Sequence, residues 1–362
     1  YTTSNESVAT IDDNGMVTAQ AEGTATITAR MATGSSTVSA TCRITVKRNE
    51  VTAGSFIINE VQQANVDMFV DPSFNYGGWI ELYNLTSSAI SLDGLYITDD
   101  INNPYRIALN SHFGAIPANG FKCIWFDHYS RWALSMVDFK LDADGGTIYI
   151  TAEDGTVLAQ QDYPPAISRT SYARTTDGGE QWSYTDQPTP EATNATSAFA
   201  STRLEAPIID SEGGRFSSAF TTHVTIPAGA TLRYTTNGST PTLTNGSTST
   251  NGTFSISTTT ILRLRLFKDG QLSSPVVTRS YIYNDRNYTL PVLSLVSDNA
   301  NLYGDELGIF VQGSGNGRPG NGQDANCNWN MDWDRPANIE FFTEDGNAAF
   351  NQEVGVEAAG GW

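Results

Sequence analysis

Along most of this chain apolar and polar residues alternate. In Ala25-Thr26-Ile27-Thr28-Ala29 and in Cys42-Arg43-Ile44-Thr45-Val46 every second side chain falls on one face. That is the period of a pleated strand, in which successive side chains point to opposite sides. No long apolar stripe at helical spacing competes with it. Turn residues separate the runs, as in Asp12-Asp13-Asn14-Gly15, Asp144-Gly145-Gly146 and Asp154-Gly155, where glycine supplies the positive φ of a tight turn. Short strands punctuated in this way predict an all-β chain built of small sandwiches or barrels.

A length of 362 residues suggests about two to four domains, and changes of texture divide it. Residues 1–48 carry the two runs just named. Residues 52–194 are expected to form a second body, with strands centred near Ile58, Leu82, Ile124, Tyr149 and Ala159. The polar stretch from Asp186 to Ser201 contains two prolines and no apolar period, so it reads as a linker, narrowed to 195–202. Residues 203–284 form a third body, whose Thr/Asn/Gly-rich middle from Thr235 to Thr253 is expected to be turn or loop. Residues 288–362 differ again. Leu290 to Val296 and Ile339 to Phe342 read as buried strands, and Gly313 to Asp334 as a long irregular loop, a length at which loops are usually functional or mobile.

The formal net charge is −19, from 39 acidic and 20 basic side chains. Such a chain repels phosphate backbones, which excludes nucleic acid as a partner. The acids are spread out, which suits solubility or cation binding at a few loops. The three cysteines, Cys42, Cys123 and Cys327, imply neither a disulfide framework nor a Cys-x-x-Cys metal site. Cys42 falls in register with Ala40, Ile44 and Val46 and is expected on a buried strand face. Cys123 lies inside the apolar run from Phe121 to Phe126 and is expected in a core. No apolar stretch is long enough to span a bilayer. The chain opens on Tyr1, so a removed signal or lipid anchor, an extracellular or cell-surface location and a monomeric state are the expectation.

Each block resembles a known module. Ser4-Asn5-Glu6-Ser7-Val8-Ala9-Thr10-Ile11-Asp12, Gly15-Met16-Val17-Thr18-Ala19 and Glu22 to Ala29 resemble the second half of a bacterial Ig-like group-2 domain, whose opening strands would precede Tyr1. Ile57-Ile58-Asn59-Glu60-Val61, Trp79-Ile80-Glu81-Leu82-Tyr83-Asn84, Ile90 to Asp99, Ile116 to Phe121, Phe139 to Asp142, Ser171-Tyr172-Ala173-Arg174 and Trp182 resemble a lamin-tail domain, an Ig-like sandwich. Leu232-Arg233-Tyr234-Thr235-Thr236-Asn237-Gly238-Ser239-Thr240-Pro241-Thr242, with Ile261 to Gly270, is similar to the small C-terminal domain of chitobiases and β-hexosaminidases, an accessory that brings no hydrolase activity. Leu290 to Ser297, Gly308 to Val311, Asp334 to Phe342 and Phe350 to Val356 resemble the opening of a CotH-type kinase domain. That resemblance implies an α+β domain of which this is the start. Its metal-binding and catalytic acids would lie beyond Trp362, and Ala359 stands where the family has His. ATP and Mg²⁺ are therefore implied only for a longer parent.

Few residues here carry chemistry. His112, His128 and His223 are isolated, without metal-ligand spacing. No Gly-x-Ser-x-Gly elbow is present, and Gly313-Ser314-Gly315-Asn316-Gly317 lacks the Lys-Ser/Thr ending of a phosphate loop. Oxygen-bearing side chains at every second position make Asp324, Asn326, Asn328 and Asp332 a candidate Ca²⁺ loop, because a hard cation wants several oxygens from one short segment. The competing reading is a polar loop whose Trp329 and Trp333 pack on the adjoining domain. Among the aromatics, Trp79 and Trp125 fall in strand patterns and read as core. Tyr129 and Trp132 are the candidates for a surface platform that stacks on a sugar. The functional reading is the non-catalytic, multi-module region of a secreted or surface-anchored bacterial CotH-family protein, acting as a spacer and adhesion stalk that holds a surface glycan or protein. The alternative is a fragment of an active secreted CotH-like protein kinase whose catalytic residues lie beyond Trp362.

Overall fold

The structure, a computed structural model, describes residues 1–46, 51–127, 133–286, 288–320 and 322–360. It is all-β, as the alternation predicts, and divides into two compact units, Tyr1–Ala53 and Gly54–Trp362.

The first unit is built on one long hairpin. Strands Gly23–Thr33 and Ser36–Val46 pair from Gly23↔Val46 to Thr33↔Ser36, and Thr2–Thr3 lies on the other side of the first strand. A second hairpin, Ala9–Ile11 with Val17–Ala19, turns where the acidic Asn-Gly turn was expected: Asp12 Oδ1 accepts from the backbone N of Asn14 at 2.9 Å and of Met16 at 2.8 Å. Its core is small, Val8, Ala9 and Ala25 with Val17 and Val46 against them. The expectation for Cys42 needs correction. Cys42 is exposed although its ladder partner Ile27 is buried. Ser36–Val46 is the outer strand of the sheet, and the apolar cover lies over Ala25 and the Val46 end. Alternation identifies a face but not how far along a strand that face is covered.

In the second unit, a six-stranded sheet runs Met136–Val137, Phe121–Phe126, Gly78–Asn84, Phe56–Gln62, Ser171–Arg174, Trp182–Thr185. A four-stranded sheet, Ile107–Ala108, Tyr96–Thr98, Gly146–Thr151, Val157–Tyr163, completes the sandwich. Ile58, Ile80, Leu82 and Ile124 of the first and Ile97, Ile150 and Leu158 of the second are buried. One irregularity decides what lies on the opposite face. Ile58 pairs with Leu82 but Glu60 pairs with Glu81, so Asn59 is a bulged extra residue. The bulge sets two glutamates side by side, away from the apolar interior.

A further sandwich runs from the strand Ile208–Ile209 to the strand Val277–Tyr283, with Leu232, Leu264, Leu266, Val224, Phe254 and Tyr281 in its core. Its expected loop region contains a short strand, Ser247–Ser249, paired to Thr231–Thr235. After it, Val292–Val296, Arg335–Phe342 and Ala348–Val356 form a three-stranded sheet beside a five-residue helix, Asn299–Tyr303.

Two expectations differ from what is found. The stretch from Gly313 to Asp334 is not irregular: it holds the hairpin Arg318–Gly320 with Gln323–Cys327 and a 3₁₀ turn, Asn328–Asn330. Strands this short, with Pro, Gly and polar residues mixed in, have no apolar beat to reveal them. The polar stretch over 186–194, ahead of the expected 195–202 linker, is docked. Asn194 is buried, Thr189 donates to Glu60, and Asp186 Oδ2 accepts from the Ser273 N at 2.7 Å. Its polar residues are used for hydrogen bonding to the strands beneath, which composition alone does not distinguish from solvation.

Candidate functional site

Asp324 and Asn326 are exposed on the strand Gln323–Cys327. Asn328 is buried and points its Nδ2 at the carbonyls of Asp305 (3.1 Å) and Gly308 (3.2 Å), and Asp332 lies 3.5 Å from Arg318 Nη2. The four thus serve two different surroundings. Among the described residues no group of three or more His, Cys, Asp or Glu could hold a metal ion. Tyr129 and Trp132, with His128, lie outside the described residues. Trp79 is fully buried and Trp125 partly so, 6.0 Å apart between ring centroids. Trp333 is buried, donates Nε1 to the Ser73 carbonyl at 2.8 Å and lies 5.7 Å from the Phe74 ring, so it packs on the preceding sandwich; Trp329 bonds within its own hairpin, to Gln323.

The outward face of the six-stranded sheet carries an unusual layer. Glu60 and Glu81 are both fully buried. Glu60 accepts from Ser171 Oγ and from the N and Oγ1 of Thr189, each at 3.3 Å for Thr189. Glu81 Oε1 accepts from Asn59 Nδ2 at 3.1 Å, the same nitrogen that reaches Asp177 Oδ1 at 3.0 Å, and Glu81 Oε2 has no protein partner among the described residues. Burial pushes the Glu60 carboxyl up to about 7 and, with help from the charge of Glu60, the Glu81 carboxyl up to about 9. Burial, and then Glu81 and Glu191, also push the thiol of Cys123 up. Lys122 is engaged by Glu191 at 2.9 Å. Perturbed carboxyl pairs are a mark of acid–base sites, but this pair is sealed under the segment from Asp186 to Asn194, so no substrate reaches it.

The second feature is a junction. Arg169, which is 5% exposed, holds Asp67 through Nε at 2.9 Å and Glu353 through Nη2 at 3.0 Å. Burial works against its charge, but Asp67 and Glu353 outweigh that and hold the guanidinium above its ordinary value. Its backbone has φ 60°, and Phe74, which packs on Trp333, has φ 66°. Non-glycine residues rarely adopt this region, and they persist there where surrounding contacts over-determine them. Beside Arg169 lies a cavity of about 500 Å³. Its wall includes Tyr76, Lys140, Asp334, Glu353 and Arg335. Arg335 is fully buried between Trp333 and Tyr76, with Cζ 4.7 and 5.7 Å from the ring centroids. It donates Nε to the Leu307 carbonyl at 2.8 Å, while Nη2 has no protein partner among the described residues. Burial pulls its pKa down to about 10.

The glutamates are visible in the sequence as charges inside the apolar runs from Ile57 to Val61 and from Trp79 to Tyr83. Arg169 and Arg335 give no such signal, because their partners come from distant segments.

Residues 1–52 match the family model of the bacterial Ig-like domain (group 2), and residues 211–278 that of the chitobiase/beta-hexosaminidase C-terminal domain. The lamin-tail and CotH-type resemblances have no such match. No curated protein matches the chain. Two of its modules are therefore similar to these two domain families, and among the described residues no helix is long and apolar enough to cross a membrane.

Proposed function

We propose that this chain is the non-catalytic, multi-module part of a bacterial surface or secreted protein, acting as a spacer and ligand-holding stalk. Its modules are 1–48, a lamin-tail-like sandwich at 52–194, a joining segment at 195–202, a chitobiase-like sandwich at 203–284, and the start of a CotH-type domain at 288–362. The observation that carries this reading is the way the last three modules are tied by side chains. Arg169 grips Glu353, Asn75 and Tyr76 reach Asp332 and Asn301, and Thr240 donates to Asp298 through N at 2.8 Å and Oγ1 at 2.6 Å. Arg203 donates to the Ser168 carbonyl at 3.0 Å, and Asn351 to that of Thr278 at 2.8 Å. Modules joined by flexible linkers leave such polar groups to water. Limited proteolysis of the whole chain tests the reading. Resistance between Asp186 and Arg203 is expected; early cleavage there would speak for independent beads.

A second reading is favoured by one observation. The sheet Val292–Val296, Arg335–Phe342, Ala348–Val356 exposes Leu293, Leu295 and Phe350 together, the first and last aligned across Phe341. An apolar face of this kind suits the beginning of a larger domain, as the CotH-type resemblance implies. The parent would then be a secreted CotH-like phosphotransferase with this chain as its stalk, and ATP binding by 1–362 alone is not expected.

A further inference from the structure

We infer that the cavity bordered by Asp186, Arg265 and the loop at 240–245 is a binding site for a neutral sugar with neighbouring free hydroxyls. The inference rests on the stalk reading above and names the ligand class that such a stalk would hold. The cavity measures about 440 Å³. It adjoins a second of about 320 Å³, and Asp186, Leu243, Phe267 and Ser273 line both. Volumes of this order suit small ligands.

The fold leaves polar atoms of the wall unused. Arg265 is 8% exposed and spends Nε on the Ser274 carbonyl at 3.1 Å and Nη2 on Ser273 Oγ at 2.5 Å. Its Nη1 has no protein partner among the described residues and keeps accessible surface. Asp186 accepts from the Ser273 N through Oδ2 at 2.7 Å, which leaves Oδ1 open. Asp186 is the charge that most favours the Arg265 guanidinium, but no ion pair joins the two among the described residues. Asn245 spends Nδ2 on Ser239 Oγ at 3.0 Å and on the Thr240 carbonyl at 2.7 Å, so its Oδ1 remains as an acceptor. A hydroxyl both donates and accepts, so neighbouring hydroxyls of one ring match the Arg265 donor and the Asp186 acceptor together. Phe69, Phe267 and the exposed Leu243 supply an apolar side for the C–H face of the ring.

The charges of the wall decide against an ionic ligand. Asp67 is matched by Arg169 at 2.9 Å, and Asp298 lies 3.6 Å from Arg263. The remaining two, Asp186 and Arg265, cancel. An anion would face the carboxylates of Asp67, Asp186 and Asp298, and a cation would face Arg169 and Arg265. A purely apolar ligand would cover Nη1 and Oδ1 without satisfying them, which is costly.

The test is a titration of the whole isotope-labelled chain with maltose, cellobiose and lactose, followed by NMR. At least one of the three is expected to bind saturably with a Kd on the order of 1 mM. It should shift the amides of Leu243, Phe267 and Ser273 and leave those of the first unit in place. Glucuronate should bind at least tenfold more weakly. Phe267→Leu keeps an apolar filling and removes the ring, and should weaken binding about fivefold. Asp186→Asn keeps an acceptor for the Ser273 N and puts an amide NH2 where the open oxygen stood, and should weaken binding about tenfold. Melting curves establish that each variant is folded, and the shift map of the unaltered chain locates the site without them. Absence of saturable binding by all three sugars, shifts centred elsewhere, equal or tighter binding of glucuronate, or unchanged affinity in both variants overturns the inference. Proteolysis between Asp186 and Arg203 is read without sugar, so failure here leaves the stalk reading to be judged separately.

Discussion

The guanidinium of Arg169 meets the carboxylate of Glu353 at 3.0 Å, although 184 positions separate the two residues in the chain. The same guanidinium holds Asp67 on its other edge. The two anions differ in setting: the Asp67 side chain is 13% exposed and that of Glu353 is 48% exposed. This asymmetry makes the two sides of the joint unequal in energy.

Arg169→Ala is therefore expected to destabilise the second unit by about 2–3 kcal/mol, because it removes the direct ion-pair partner of the largely covered Asp67 and leaves only the more distant Arg263 and Arg265. Glu353→Ala should cost no more than about 1 kcal/mol, as solvent screens that partner. Urea unfolding of both variants checks the difference.

Trp333 is the apolar counterpart of that joint. Its ring is buried against Phe74, and its Nε1 is used by Ser73. Trp333→Ala should cost about 3–5 kcal/mol by cavity formation, whereas Trp329→Ala, whose ring is only partly buried, should cost clearly less. Thermal melts followed by circular dichroism compare them.

The buried glutamates predict a dependence on pH. Both carboxyls titrate higher in the folded chain than the ordinary 4.5, at about 7 for Glu60 and about 9 for Glu81. The folded state then holds more protons than the unfolded state between pH 4.5 and those values, so stability falls as pH rises across that window. Glu81→Gln keeps an acceptor for Asn59 and removes the charge. It should flatten the upper part of the curve and stabilise the protein at pH 9 by roughly 1–3 kcal/mol. Melting curves between pH 5 and 9 measure the slope; a wild type that grows more stable with pH would contradict the assignment.

Thiol reactivity separates the cysteines. Cys42 is exposed, Cys123 and Cys327 are buried, and burial keeps the Cys123 thiol protonated. Under native conditions Cys42 should be modified fast and the other two only on unfolding, which mass spectrometry of alkylated peptides reads directly.

For the loop from Asp324 to Asp332, the use of Asn328 as a donor and of Asp332 by Arg318 predicts no Ca²⁺-linked rise in melting temperature. Calorimetric titration with Ca²⁺ checks it.

The strand period and the turns were legible because they depend on neighbours in sequence. Apolar runs such as Phe56 to Val61 and Ile261 to Phe267 lie in strands, and the turn at Gly15 has the positive φ its glycine suggested. What stayed hidden depends on distant partners. Nothing near Arg169 announces Asp67 or Glu353, and nothing in the polar composition from Asp186 to Ser201 shows that Glu60 and Ser273 bind it. The hairpin at Arg318–Gly320 was hidden for a different reason, since its two short strands carry no alternating apolar run. Cys42 shows the opposite error, an apolar alternation on an edge that no other strand covers among the described residues.

Native-state hydrogen exchange tests most directly the claim that residues 54–362 act as one joined body. The backbone N–H groups of Thr189, Asn194 and Ser273 donate to Glu60, Asp177 and Asp186. They are expected to exchange as slowly as the amides of the strand Phe56–Gln62. Exchange of these three at the rate of an open chain, with the strand still protected, would contradict the account.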